Sequence, residues 1–236
     1  MNKIKSAIPN TLTCLNLFSG CTACLFAFLG SFYITFIFII FSTIFDFCDG
    51  LMARALKVTS PIGKELDSLA DDISFGFVPA VVIFKLMNSN IVVYPHFLGL
   101  LSTILPFLAF LISVFSALRL AKFNIDPRQS HSFIGLPTPA NTLFWISFAI
   151  AFTKESMMIN IFILLVMIII SCWLLVAELP MFALKFENLK WSDNKIRYIF
   201  LITCIPLFFL GWICLAAIIL WYIILSLAVC KKNINN

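Results

Sequence analysis

The sequence predicts an all-α, polytopic bundle embedded in a membrane: about eight transmembrane helices, a six-helix core plus a C-terminal hairpin, with both termini cytoplasmic. Three observations carry this. The composition is 62% hydrophobic and 11% charged, with a mean hydropathy of +1.06, whereas a water-soluble domain carries about 25% charged residues. The apolar stretches are long enough to span a bilayer. The basic residues fall almost entirely on one side of the resulting spans, as the positive-inside rule requires. A chain this apolar cannot cover itself with polar groups in water but needs no such cover in lipid, which excludes disordered chains, nucleic-acid readers and secreted disulfide scaffolds. The length of 236 residues fits one membrane-embedded domain, 1–236.

The first 34 uncharged residues, 12–45, exceed one crossing, and Gly30-Ser31 falls near their middle. A crossing takes about 20 residues, so a hairpin of spans 12–29 and 32–55 is expected. Lys3 and Lys5 ahead of this run resemble a secretion signal. Its apolar part runs too far without a charge for a removable segment, so it is read as retained. Further spans are expected at 67–86, 97–123, 139–152 and 157–177. Residues 198–230 are again long for one helix, and Pro206 and Gly211 offer a turn, so a final hairpin is expected; six spans, with this hairpin merged or the fifth segment bent, is the alternative. With the amino terminus inside, only Lys85 and Lys154 of the 16 basic residues lie outside. The eight Cys lie mostly in apolar stretches and are read as packing residues, the Cys21-x-x-Cys24 pair included. Asn10 and Thr13 either hydrogen-bond near the headgroups or a ligand or cap the first helix, and the cap is the favoured reading.

Six of the eleven acids, Asp46, Asp49, Glu65, Asp67, Asp71 and Asp72, crowd into the inner ends of spans two and three. Carboxylates near hydrocarbon need compensating cations. Asp46 and Asp49 are three apart, and Asp67 and Asp71 four apart, so each pair shares a helical face. Two opposed faces make a cage of four carboxylates, hard oxygen ligands suited to Mg²⁺ or Mn²⁺, with room for two ions that clamp phosphoryl groups. Gly50 and Gly63 allow a close approach beside it. The alternative is a solvated structural cluster in which the acids pair with Arg54, Lys57 and Lys64. A cation channel or transporter is the other reading.

The string Asp46-x2-Asp49-Gly50-x2-Ala53-Arg54-x8-Gly63-x3-Asp67-x3-Asp71 resembles the signature of the CDP-alcohol phosphatidyltransferases, with every fixed position filled. The resemblance implies two divalent ions on Asp46, Asp49, Asp67 and Asp71, a CDP-linked lipid whose diphosphate bridges them, and Asp71 as general base for an acceptor alcohol. It also implies that Asp49, Gly50, Ala53 and Gly63 border the nucleotide and that the protein is a homodimer. Arg54 is suited to a phosphate or to fixing the cage, and Ser60 is a candidate phosphate donor. Glu65 and Asp72 lie outside the pattern.

Three outer segments, Ile8-Pro9-Asn10-Thr11-Leu12-Thr13, Leu118-Arg119-Leu120-Ala121-Lys122-Phe123-Asn124 and Phe133-Ile134-Gly135-Leu136-Pro137-Thr138-Pro139-Ala140, resemble the phosphatidylserine synthase branch. This implies transfer of the phosphatidyl group from CDP-diacylglycerol to L-serine at the inner face of the cell (inner) membrane; a sibling using glycerol 3-phosphate is the alternative. Serine carries a carboxylate and an ammonium. Arg119, Lys122 and Arg128 are candidates for the carboxylate, with Asn124 a neutral partner, or they are ordinary inner-face anchors. Gly135 to Pro139 is either a rigid loop over the acceptor site or a plain helix start.

Overall fold

The structure, a computed structural model, describes residues 2–58, 60–126, 133–182 and 191–234. Helices α1 (Asn2–Phe28) and α2 (Phe32–Leu56) form the first hairpin. Gly30 caps α1 at φ +82°, its N–H reaching Ala27 O at 3.0 Å while Ser31 N–H reaches Phe26 O at 2.9 Å. This satisfies carbonyls that would otherwise be orphaned at the helix end. The first helix starts well before the expected residue 12 and runs through Pro9. That proline removes only the hydrogen bond to the carbonyl four residues back, near the helix end where water can replace it. Pro9, Thr13, Asn16, Gly20, Ala23 and Ala27 form its buried seam at alternating four- and three-residue steps.

The link from α2 to α3 (Pro61–Asp71) sets up the functional end. Lys57 stops α2 in the left-handed conformation, φ +52°, with Val58 N–H on Ala53 O at 3.1 Å. Ser60 then starts α3: its Oγ accepts from Gly63 N–H at 2.9 Å, and Pro61 occupies the first turn. The rod continues through a π-helical stretch (Asp72–Phe77) into α4 (Val78–Met87). The expected straight span 67–86 is therefore longer at its start and contains a widened turn. An apolar run does not reveal one extra residue per turn, so the sequence pattern missed it. The widened turn lies where neighbours approach most closely. A Cβ on Gly20 would stand 2.1 Å from Ser74 Oγ, and one on Gly76 would stand 2.7 Å from Asp72 Oδ1.

The fourth rod combines α5 (Leu101–Ile104), a 3-10 stretch (Leu105–Phe110) and α6 (Leu111–Ile125). Pro106, which lacks an N–H, lies in the tight part. Helices α7 (Thr138–Lys154) and α8 (Ile161–Val176) follow. Then α9 (Trp191–Cys204), a second 3-10 stretch (Pro206–Ile213) and α10 (Cys214–Ile234) make the expected last hairpin. It reverses at Gly211, φ +65°, and the chain runs on through Pro206. Trp221 Nε1 donates back to Thr203 Oγ1 at 2.7 Å, and the Phe200 and Tyr222 rings pack at 6.0 Å.

Two short pairings tie loops at opposite ends: β1 (Val92–Val93) runs parallel to β3 (Ile159–Asn160), and β2 (Phe133–Ile134) antiparallel to β4 (Pro180–Met181). Segments Ala7–Phe28, Phe32–Leu56, Leu101–Ile125 and Pro206–Ala228 are long and apolar enough to cross a membrane, and α8 is a shorter apolar helix. The core holds Phe75, Ile83, Leu86, Ile112, Trp145 and Leu164, whereas many outer Phe, Ile and Leu side chains face outward, where lipid suits them. The charge asymmetry is visible in the fold. Lys85 lies over the Phe28 ring and Lys154 over Trp212, which packs edge-on against Tyr33, all at the end of the α1–α2 turn. Arg54, Lys57, Lys64, Arg119 and Lys122 are on the segments that meet at the other end.

Candidate active site

The tight α2–α3 link folds the Asp46/Asp49 face against the Asp67/Asp71 face. Oxygens of Asp46, Asp49 and Asp67 come within 4.8 Å of one another. Thr13 of α1 donates its hydroxyl to Asp49 Oδ2 at 2.6 Å, and Asp67 Oδ1 is buried with no partner. Among the described residues no ion pair joins these acids to Arg54, Lys57 or Lys64; all three cations are exposed, and Lys64 Nζ donates instead to Asn124 O at 3.1 Å. The structural-cluster alternative therefore lacks its cations. Clustered carboxylates with an orphaned oxygen are a hard-donor set that fits a divalent cation.

Asp71 stands one turn further, outside this group of three. Its carboxylate is within electrostatic reach of Asp46 and Asp67 and also of Arg119. Asn16, fully buried on α1, donates Nδ2–H to Asp71 Oδ1 at 3.2 Å. Asn16 Oδ1 accepts from Ser74 Oγ at 2.9 Å and also from Ser42 Oγ. Sequence reasoning passed over Asn16, Ser42 and Ser74. The available signal was spacing: Asn16 is three after Thr13, Ser42 four before Asp46 and Ser74 three after Asp71, so each shares a helical face with a site residue. The expected capping roles of Asn10 and Thr13 are corrected, because α1 already covers both; Thr13 turns inward to Asp49 and Asn10 lines a cavity.

That cavity, about 480 Å³, opens beside the acids and is lined by Asn10, Asp49, Gly50, Ala53, Ser60, Gly63 and Asp67 among others. It brings together the residues expected to border the nucleotide, with the exception of Arg54, which is exposed and whose Nη1 lies 3.4 Å from where a Gly50 Cβ would be. Ser60 caps α3 with its oxygen lone pair, which leaves its hydroxyl proton for a ligand. Gly63 leaves room for Ser60 and Asn10, since a Cβ there would meet Ser60 Oγ at 2.8 Å and Asn10 Oδ1 at 2.9 Å and displace those side chains.

A second cavity of about 220 Å³ is lined by Arg119, Lys122, Asp126 and Glu178 with Ile134 and Leu175. Arg119 is buried; its Nη1 reaches Thr138 Oγ1 at 3.4 Å, and its Nε has no partner. The segment ahead of α7 is an extended loop. Gly135 N–H bonds Leu179 O and Leu136 N–H bonds Leu174 O, both at 2.9 Å. Gly135 takes φ +76°, and a Cβ there would stand 2.7 Å from Leu175 O. This clamp presents Thr138 to Arg119. Asn124 is corrected: it lies away from this cavity and donates to Ser68 Oγ at 2.7 Å, joining α6 to α3. Arg128 lies outside the described residues.

Similarity to known proteins agrees with this geometry. A CDP-diacylglycerol–serine O-phosphatidyltransferase of Helicobacter pylori is 28% identical over 239 residues, covering 95% of both chains. Proteins of the same name from Methanocaldococcus jannaschii and Bacillus subtilis are 38% and 33% identical over 141 and 132 residues. Those matches cover 60% and 56% of this chain, and 59% and 69% of the relatives. The pattern of the CDP-alcohol phosphatidyltransferase family matches residues 6–176, which include both acid pairs and Arg119. The chain belongs to the CDP-alcohol phosphatidyltransferase family.

Proposed function

We propose that the protein transfers the phosphatidyl group of CDP-diacylglycerol to the hydroxyl of L-serine, giving phosphatidylserine and CMP. The observation that carries this reading is the close group of Asp46, Asp49 and Asp67 beside a cavity, with Asp71 one turn further along the same rod and a second, unlike cavity lined by Arg119. The first cavity is nucleotide-sized; the second is smaller and of mixed charge. Two divalent ions, Mg²⁺ or Mn²⁺, held by Asp46, Asp49, Asp67 and Asp71, would neutralise the donor diphosphate and the charge that builds on departing CMP.

The chain's own groups do the rest. Thr13 fixes Asp49, while the small Gly50, Ala53 and Gly63 leave room for the nucleotide, with the Ser60 hydroxyl facing the same cavity. Arg119 and Lys122 take the serine carboxylate. The acidic groups lining the same cavity suit its ammonium, and this mixed lining favours a zwitterion over a phosphate dianion such as glycerol 3-phosphate. Asp71 accepts the hydroxyl proton. The freed oxygen attacks the phosphorus bearing diacylglycerol, and the bond to the CMP oxygen breaks.

The concentration of cations at the site end supports an active site facing the cytoplasm from the inner membrane. Acids gathered at one end, and not spread through the depth of the bundle, argue against an ion path. The homodimer implied by resemblance has no support in the single chain.

The test is CMP release by purified protein with CDP-diacylglycerol and Mn²⁺ or Mg²⁺, offered L-serine, glycerol 3-phosphate or myo-inositol in parallel. Serine-dependent release abolished by EDTA is expected. Release with another acceptor would keep the reaction and change the substrate, and no release with any acceptor would refute the reading.

A further inference from the structure

We propose that Asn16 is the positioning residue for Asp71, holding the carboxylate in register for proton transfer through a hydrogen-bonded hub that spans three helical rods. The inference rests on the transfer reaction proposed above, with Asp71 as base. Asn16 is fully buried on α1, and its side chain meets Ser42 of α2, Ser74 of the π-helical stretch and Asp71 at the end of α3.

The chemistry fixes the direction of every bond. In its role as base Asp71 is the ionised form, which only accepts, so the amide turns its NH₂ toward Asp71 and its carbonyl oxygen toward the two hydroxyls, both of which can donate. A flipped amide could still donate to the two hydroxyls, but it would set its carbonyl oxygen against the Asp71 carboxylate, acceptor against acceptor, so the bond to Asp71 is what fixes its orientation. Asp71 Oδ1 is thereby tethered at 3.2 Å, and Oδ2 has no hydrogen-bond partner among the described residues. One oxygen is held and the other is left for the acceptor hydroxyl.

The π-helical stretch is what brings Ser74 into the hub. Ser74 lies directly under Gly20, where a Cβ would stand 2.1 Å from its Oγ, so the bare glycine lets α1 come close enough for Asn16 to reach Asp71 and Ser74 together. Thr13, one turn earlier on α1, holds Asp49 in the same way. A single helix thus orients one carboxylate of the acid group and the carboxylate proposed as base.

The experiment compares wild type with Asn16→Leu, with Ser42→Ala/Ser74→Ala and with Asp71→Asn. Readouts are kcat and KM for both substrates, Mn²⁺ binding by electron paramagnetic resonance, and the melting temperature in detergent. Misplacing a reacting group by about 1 Å costs about 10²-fold; Asn16→Leu should lower kcat by about that factor with KM for serine and CDP-diacylglycerol unchanged. Ser42→Ala/Ser74→Ala keeps the amide but loosens its hold, and should lower kcat about tenfold, the worth of one ordinary hydrogen bond, with KM for both substrates and the melting temperature little changed and Mn²⁺ still bound.

Should Asn16→Leu fail to fold, the serine double variant decides by itself. Full kcat in that variant, or a fall in kcat matched by a collapsed melting temperature or by complete loss of Mn²⁺ binding, would overturn the positioning role. If wild type releases CMP and Asp71→Asn does not, while the hub variants turn over normally, only this inference fails. If wild type releases none, the reaction itself is wrong.

Discussion

Replacing Asp67 by Asn should stabilise the metal-free protein while destroying its activity. Oxygens of Asp46, Asp49 and Asp67 lie within 4.8 Å of one another. At an effective dielectric of about 20, two unit charges at that distance repel by about 3.5 kcal/mol. The substitution would remove two such pairs, and the amide can still offer an oxygen where Asp67 Oδ1 now lies buried without a partner. The cavity beside the acids admits solvent, which screens part of this repulsion, so a net gain of about 1–3 kcal/mol is the expected outcome. For a chain of this size each kcal/mol moves the melting temperature by about 2–4 °C.

The assay is thermal unfolding in detergent, in EDTA and again with saturating Mn²⁺, beside CMP release. In EDTA the Asp67→Asn protein should melt several degrees above wild type. Mn²⁺ should raise the wild-type midpoint, because a ligand bound only by the folded state stabilises it, and should raise that of the variant much less. CMP release should fall below detection. A variant that melts lower than wild type in EDTA yet gains equally from Mn²⁺ would refute the reasoning, since that is how a structural charge cluster behaves.

Gly20→Ala should destabilise the protein by about 1–3 kcal/mol, the usual range for overpacking. The new Cβ would also stand 3.0 Å from Ser74 Cα, so rotating the hydroxyl away does not relieve it; an unchanged melting temperature would mean that α1 and the π-helical stretch are less tightly joined than described. Arg119→Met keeps most of the side chain's volume and removes its charge. It should raise the apparent KM for serine by about 10- to 100-fold, the worth of a charged hydrogen bond, with KM for CDP-diacylglycerol unchanged; an unchanged serine KM would return Arg119 to a packing role against Thr138 and Phe123.

Membrane residence, the first hairpin and the four-aspartate pattern were legible in the sequence, because each depends on short-range regularities, whereas the last apolar stretch could be read as one span or two. Hydropathy is summed along a window, a glycine marks its own turn, and helical geometry puts residues three or four apart on one face. What the tertiary structure decided depends on which faces meet. Asp46, Asp49 and Asp67 form a close group while Asp71 stands apart, tethered by an asparagine 55 positions earlier. Thr13 and Asn10, plausible caps in one dimension, are interior residues of a helix that starts sooner, and Asn124 packs against Ser68 and not around an acceptor. The π-helical turn was also invisible, since it changes no residue type and shows only in where Ser74 and Gly76 end up. The physical reason is the same in each case: a polar side chain buried among helices takes whichever partner the packing supplies, and that partner comes from another part of the chain.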